Sequence, residues 1–416
     1  MTTPPQPGPP DDAPQPRSTP QPDAVERLLA GLRRHPDAPK DRTASALVAV
    51  DATDRLLLDL AAPELAGAAP GDVVVVEDRF GALTLGAALA HDLDGIRVHQ
   101  DLVTGETALA ANARAAGLAD RYASLPLGPE AFDGARVVLL QLPRSLAALT
   151  EIAEAVAASA HPDVVVLAGG RLKHMTRAMN DVLAASFDDV SASLARQKSR
   201  VLVARGVRPV DGARPASFPV TTRVDVPTGA GRVLPLDVVA HGGAFAGSGL
   251  DLGTRFLLER LDQVAASTPD DAPLDGVDLG CGTGILATAL ATVRPGAQVV
   301  ATDASDAAVR SAAATARAAG VRARVRVLRD DVGSTLEPAS ADVVLLNPPF
   351  HAGAAVDTDA AHRMFEAAAR LLRPGGELWT VWNSHLRYRA ALDRAVGPTT
   401  EVARDKRFTL TRSRRR

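Results

Sequence analysis

Short runs of Val, Leu and Ile, bounded by Gly, Asp or Pro, recur along most of the chain. In the first half they fall at 72–78 (DVVVVED), 96–101 (IRVHQD), 135–141 (ARVVLLQ) and 163–169 (DVVVLAG), with a later run at 199–204 (SRVLVA). A run apolar at consecutive positions is what a strand covered on both faces requires, and the Ala- and Leu-rich stretches between runs have helical length. The second half repeats the alternation at 274–280 (LDGVDLG), 297–303 (AQVVATD), 324–331 (RVRVLRDD), 341–347 (ADVVLLN) and 376–383 (GELWTVWN). Between the halves, 206–232 is rich in Pro, Gly, Thr and Arg and reads as a linker with room for one hairpin. The pattern predicts an α/β chain with two doubly wound, Rossmann-like sheets in tandem.

The halves also resemble each other. Setting Glu77 on Asp278 places Gly81 on Gly282, Leu89 on Leu290, and Asp101 near Asp303. The run 137–143 (VVLLQLP) then falls on 343–349 (VVLLNPP). This predicts an internal duplication whose first copy is degenerate. The expected organisation is a disordered tail over 1–22, a degenerate domain over 23–205, a linker over 206–232 and a chemically active domain over 233–416. The tail carries nine prolines and no Val, Ile, Leu or Phe, too little apolar surface to offset the entropy of ordering.

Composition narrows the class. Hydrophobic residues make up 46% and charged residues 23%, and no apolar run reaches the roughly 18 residues that span a bilayer. The N-terminus lacks the basic and apolar segments of a secretory signal, so a cytoplasmic protein is expected. A lone cysteine, Cys281, supports neither an internal disulfide nor a cysteine-rich zinc site. The net charge is −3, yet from Arg387 to Arg416 ten Lys or Arg stand against three acids. Arg404, Lys406 and Arg407 are candidate phosphate contacts within that basic end, as are Arg412 and Arg414–Arg416 beyond them.

The strongest local chemistry is VDLGCGTGILATALA at 277–291. A strand ends near Asp278, and glycines 280, 282 and 284 allow a tight turn and close backbone approach to a ligand at a helix N-terminus. Ile285 stands where a nicotinamide-binding turn has its third glycine. Asp303 ends the next strand, where a carboxylate accepts the hydroxyls of an adenosine ribose, and Asp331 ends the third, beside an adenine edge. The turn and the two acids together predict an adenosyl-cofactor site.

At the end of the fourth strand stands Asn347-Pro348-Pro349-Phe350-His351. Asn347 offers a side-chain oxygen and Pro348 a carbonyl oxygen, and both can accept from one planar amine. Phe350 supplies a face for a stacked base. His351 and His385 are possible bases, although a lone histidine beside a pocket is more often a structural hydrogen-bonding residue. At least one of Trp379 and Trp382 is expected to pack in the core. Phe245, among glycines 242, 243, 247 and 249, belongs to a segment that either packs as an ordinary loop or closes over the cofactor.

These motifs, with AFAGSGLDLGTRFLLERL (244–261), RMFEAAARLLRPGGELWTVWNSHLRY (363–388) and RDKRFTLTR (404–412), resemble the bacterial rRNA guanine-N2 methyltransferases, class I enzymes that use S-adenosyl-L-methionine. The resemblance is strong over 233–416 and holds only in outline over 24–232. It implies methyl transfer to N2 of a guanine in ribosomal RNA or a ribosomal subunit. Asp278, Gly280, Gly282, Gly284, Asp303 and Asp331 would hold the cofactor; Asn347, Pro348 and Phe350 would hold the guanine and carry the reaction. Neither a metal nor a membrane is implied, and the oligomeric state is not legible. The first half would serve as a docking surface for the RNA or the ribosomal particle. Other readings stay open: an amine of DNA or a release-factor glutamine as acceptor, a nicotinamide oxidoreductase, or a noncatalytic ribosome-assembly protein.

Overall fold

The computed structural model describes residues 22–34, 49–208, 215–264, 266, 269, 271–349 and 358–416. The tail expected to be disordered lies, as far as residue 21, outside the described residues. After α1 (Pro22–Gly31) and α2 (Ala52–Leu65), the chain alternates through β1 (Val73–Val76), α3 (Ala82–His91), β2 (Ile96–His99), α4 (Val103–Ala116) and β3 (Tyr122–Ser124). It continues through α5 (Pro129–Phe132), β4 (Val137–Gln141), α6 (Leu146–Ser159), β5 (Val165–Arg171) and α7 (Arg177–Ala184) to the pair β6 (Phe187–Ala192) and β7 (Ser199–Val207). A hairpin of β8 (Val220–Pro227) and β9 (Val233–Ala240) and the helix α8 (Leu252–Leu258) lead into the second series. That series is β10 (Leu274–Leu279), α9 (Ile285–Val293), β11 (Ala297–Asp303), α10 (Asp306–Ala318), β12 (Val325–Arg329), β13 (Ala341–Leu346) and α11 (Thr358–Leu371). The chain closes with β14 (Leu372–Asn383), α12 (Arg389–Ala395), β15 (Thr399–Arg404) and β16 (Phe408–Arg414).

The two halves form separate seven-stranded sheets of the same order, β3-β2-β1-β4-β5-β7-β6 and β12-β11-β10-β13-β14-β16-β15. The first five strands of each run parallel, and the last two are joined by antiparallel pairings. The predicted doubly wound pair is therefore present. Alternation along β13 explains why Val343 to Leu346 are all apolar. Val343 and Leu345 pack in the layer that holds Leu286, Leu290 and Trp379, while Val344 and Leu346 face Phe365 and Trp382. Both tryptophans are core residues, each 1% exposed.

Four strands of these sheets were missed in the sequence: β3 at the parallel edge, and β6, β15 and β16 on the antiparallel side. FDDVSA in β6 and the Thr- and Arg-rich β15 and β16 carry no continuous apolar run, because antiparallel edge strands are solvated on part of their surface. The expected linker also contains more than a tether. Its residues 220–227 form β8, which pairs along its length with β9, and Val226, Leu236 and Val238 enter the core of the second half. Side chains of α10 clip β9 in place: Thr315 Oγ1 accepts from Val239 N (3.0 Å), and Ser311 Oγ accepts from His241 N (2.9 Å).

Glu151 of α6 joins the halves, accepting from Gly242 N (2.6 Å) and meeting His241 Nδ1 (2.6 Å). Among the described residues, no helix is long and apolar enough to cross a membrane.

Candidate active site

Leu279 ends β10, and the turn that follows holds Gly280, Gly282 and Gly284 at φ of 77°, 52° and 75°, where a side chain is disfavoured. The three glycines do different work. A Cβ on Gly284 would stand 2.7 Å from Ala312 Cβ and 2.9 Å from its Cα, so this glycine lets α9 pack on α10. A Cβ on Gly280 would meet Met364 Cε at 2.9 Å, and one on Gly282 would meet nothing within 4 Å. Gly280 and Gly282 line the cavity; Gly284 does not.

Asp278 is likewise absent from the cavity wall. It is 1% exposed, and its Oδ2 accepts from Ala287 N (2.9 Å) at the start of α9. Burial pushes its carboxyl up to about 7. Asp278 and Gly284, expected to touch the cofactor, instead build the turn from beneath. Cys281 is also buried, and burial pushes its thiol up.

Asp303 does reach the cavity. Its Oδ2 accepts from Gly282 N (3.0 Å) and its Oδ1 from Ser305 N (3.0 Å), so the same carboxylate that faces the ligand space also sets the turn. Burial raises its pKa, against the pull of those backbone donors. Asp331 also lines the cavity and pairs with Arg363, a residue the sequence reading had not singled out. Its neighbour Asp330 is engaged by Ser334 Oγ and by Thr335 N and Oγ1.

The cavity has a volume of about 390 Å³ and runs from this turn to Asn347, Pro348 and Pro349. An open cradle over Gly282, with carboxylates at the ends of the second and third strands, fits an adenosyl cofactor. At the other end Asn347 Nδ2 donates to Asp251 Oδ2 (2.9 Å) and to Thr254 Oγ1 (2.9 Å). With both amide hydrogens held, Asn347 Oδ1 is buried without a partner among the described residues. Asp251 is at once the N-cap of α8, accepting from Thr254 N (2.9 Å). The signal for these two residues was local, a capping Asp three positions before Thr in 251–254, but nothing local linked it to Asn347.

Phe350 and His351 lie outside the described residues. His385 is exposed and is not in the cavity wall. Phe245 lines the cavity at 72% exposure, while Gly242 and Gly243 do not. A Cβ on Gly242 would meet Ala147 O of the first half at 2.3 Å, so this glycine serves the contact between halves.

Register sorts the basic residues. Asn383 pairs with Phe408, and Glu377 with Arg414. Because β14 runs parallel to β13, the exposed Arg404, Lys406 and Arg407 lie at the carboxyl edge of the sheet, the edge that bears Asn347. Arg412 and Arg414–Arg416 extend toward the opposite edge, with Arg412 paired to Glu377 and Arg416 Nη2 donating to Asp393 O. The basic end therefore spans both edges of the sheet.

The first half repeats the architecture with other residues in the turn, in a register two residues from the one expected. Glu77 N donates to His99 O (2.9 Å) as Gly280 N donates to Thr302 O (2.8 Å), and Gly81 caps α3 as Gly284 caps α9. Backbone pairing therefore puts Glu77 on Gly280, Arg79 on Gly282 and Gly81 on Gly284. Glu77 holds φ of 63°, a left-handed conformation unusual for a side-chain-bearing residue. Gln141 occupies the place of Asn347, but its amide donates to Asp54 within the first half.

A sheet of this order, with a glycine turn after its first strand, an acid ending the second and Asn-Pro-Pro ending the fourth, defines an S-adenosylmethionine-dependent methyltransferase. The family described as Methyltransferase small domain matches residues 235–412, and the RLMG N-terminal domain matches 26–208. Ribosomal RNA large subunit methyltransferase G of Streptomyces avermitilis is 36% identical over 388 residues, covering 92% of this chain and 96% of the relative. The protein of the same name from Streptomyces coelicolor is 34% identical, covering 92% and 97%. The chain belongs to the ribosomal RNA large subunit methyltransferase G family. Among solved structures, the T. thermophilus 16S rRNA N2 G1207 methyltransferase, in complex with AdoMet and guanosine, shares the fold. Its TM-score is 0.69 at 22% identity, covering 88% of this chain and 92% of that one.

Proposed function

We propose that this protein methylates the exocyclic N2 amine of a guanine in large-subunit ribosomal RNA, in the cytoplasm where ribosomes are assembled. The observation that carries the reading is Asn347: its amide hydrogens are held by Asp251 and Thr254, and its buried oxygen awaits a donor. An unmatched buried acceptor costs about 1–3 kcal/mol, a penalty relieved when an N–H arrives.

S-adenosylmethionine, when bound, supplies a methyl group on a positively charged sulfur. Gly280, Gly282, Asp303 and Asp331, which line the cavity, would hold it. The N2 amine is a poor nucleophile because its lone pair is delocalised into the purine ring. Asn347 Oδ1 and the Pro348 carbonyl accept its two hydrogens, draw the lone pair out of conjugation and ease the charge that develops on nitrogen. Orientation by these fixed acceptors supplies much of the rate, and no strong base is needed. A stacking face for the base is the role expected of Phe350 from the sequence. The guanine enters unpaired or flipped from its helix. Arg404, Lys406 and Arg407, at the same edge, meet the RNA backbone.

Asn347→Ala should lower methyl transfer to rRNA at least about 100-fold, a loss of the size seen when one polar group of a reaction pocket is removed. Affinity for S-adenosylhomocysteine should stay near wild type by calorimetry. Wild-type turnover in that variant would refute the pocket. Tritiated-methyl assays offering rRNA, DNA and release factor in parallel test the acceptor, and label outside rRNA would move the reading to another planar amine.

A further inference from the structure

The lapsed cofactor turn of the first half lies against the second half, at the loops that form the wall of the working site. Asp101, just beyond β2, accepts from Ser305 Oγ (2.9 Å) and Ala307 N (2.9 Å) with one carboxylate oxygen, and its carbonyl accepts from Asp306 N (2.8 Å). These are groups of the first turn of α10, where a carboxylate is favourable. Val103 N donates to Ala304 O (2.9 Å) in the same seam. At the end of β12, Arg329 donates to Gln100 O (2.6 Å) and pairs with Glu106 (2.7 Å), directly before the loop of Asp330 and Asp331. Both loops that present carboxylates to the cavity are thus fastened to the first half.

The fastening is continuous from one turn to the other. Glu77, in the place of Gly280, accepts from Asp101 N (2.9 Å). Asp101 holds the Ser305 hydroxyl, which in turn accepts from Ala308 N (3.1 Å) as the cap of α10. Ser305 N and Gly282 N then share the carboxylate of Asp303. A second-half loop with Ser305 unrestrained would have to order itself when ligand binds, and that ordering would subtract from affinity.

We propose that Asp101 is a positioning residue for cofactor binding: by holding Ser305 it presets Asp303, so affinity for S-adenosylmethionine is a property of both halves. This rests on the assignment of Asp303 to the cofactor. It adds to the expectation of a first half that docks RNA: Asp101 does not line the cofactor cavity, and its carboxylate reaches Asp303 through Ser305.

The test is calorimetric titration of S-adenosylhomocysteine into the full-length protein. Asp101→Ala should weaken binding about 10-fold, Ser305→Ala by a similar factor, and the pair together no more than either alone, since both break one link. Asp101→Asn keeps an acceptor oxygen and should recover most of the affinity; it also replaces the alanine variant if that does not fold. RNA affinity and the KM for RNA should stay at wild type while the KM for cofactor rises. Wild-type cofactor affinity in Asp101→Ala and Ser305→Ala, additive losses, or an equal fall in RNA affinity would each overturn the proposal. Asp303→Ala separates the two levels: if it too binds at wild-type strength, the cofactor site itself is misassigned.

Discussion

At the residue scale, two acids of the second half illustrate how burial and hydrogen bonding assign work. Asp251 fixes the amide of Asn347 and caps α8 at once. Asp251→Ala should lower kcat about 10-fold by letting that amide rotate, and cost about 1 kcal/mol of stability through the lost cap. Single-turnover methyl transfer beside denaturant unfolding reads both, and an unchanged kcat would show that Asp251 does not orient Asn347. Asp278 does something different. Its pKa is raised from 3.8 to about 7 by burial, so it binds its proton more tightly folded than unfolded. Its contribution to stability therefore falls as pH rises from about 4 to about 7 and is level above. Asp278→Asn keeps an acceptor for Ala287 N and removes the titration. Relative to wild type, the variant should gain on the order of a few kcal/mol between pH 5 and pH 8 in urea unfolding. A parallel pH profile would place the charge of Asp278 elsewhere.

At the scale of elements, the glycine turn divides into a packing position and a binding position. Gly284→Ala should destabilise by about 2–4 kcal/mol, because the new Cβ meets the backbone of α10 in a left-handed conformation. Gly282→Ala meets no neighbour and should cost only about 1 kcal/mol of strain. Its methyl would nevertheless enter the cavity, and cofactor affinity should fall at least 10-fold. Thermal unfolding and calorimetry on the two variants should thus give opposite rankings; the same ranking in both would dissolve the distinction. The hairpin of β8 and β9 makes a related point. Polar clips from Thr315 and Ser311 hold its inner strand to α10, the helix whose N-terminus Asp101 caps.

At the scale of the whole molecule, a chain of net charge −3 binds a polyanion only through local charge. The turn carrying Arg404, Lys406 and Arg407 lies at the edge of the site, about 20 Å along β16 from Arg414 at a strand rise near 3.3 Å. Replacing those three by alanine should reduce the slope of log affinity for RNA against log salt by about 2, since each phosphate contact contributes 0.7–0.9. The same change at Arg412 and Arg414 should leave the slope within error and cofactor affinity intact. A slope that responds only to Arg412 and Arg414 would reverse the assignment of the two edges.

Local pattern determined a good deal about this protein. Apolar runs long enough to be covered on both faces made ten strands and two doubly wound sheets legible, and the strands of the parallel core fall close to their predicted limits. The glycine turn, Asp303, Asp331 and Asn347-Pro348 were legible too, because a tight βα corner and a proline-stiffened strand end are written in consecutive residues. Tertiary structure alone decided that Gly284 faces Ala312 while Gly282 faces the cavity, and that Glu77 aligns with Gly280. It also decided which arginines share an edge with Asn347. The contacts responsible join Asn347 to Asp251 across 96 positions and Ser305 to Asp101 across 204. Such pairs are brought together by strand register and by the seam between two packed sheets, and a burial pattern read along the chain carries no term for either.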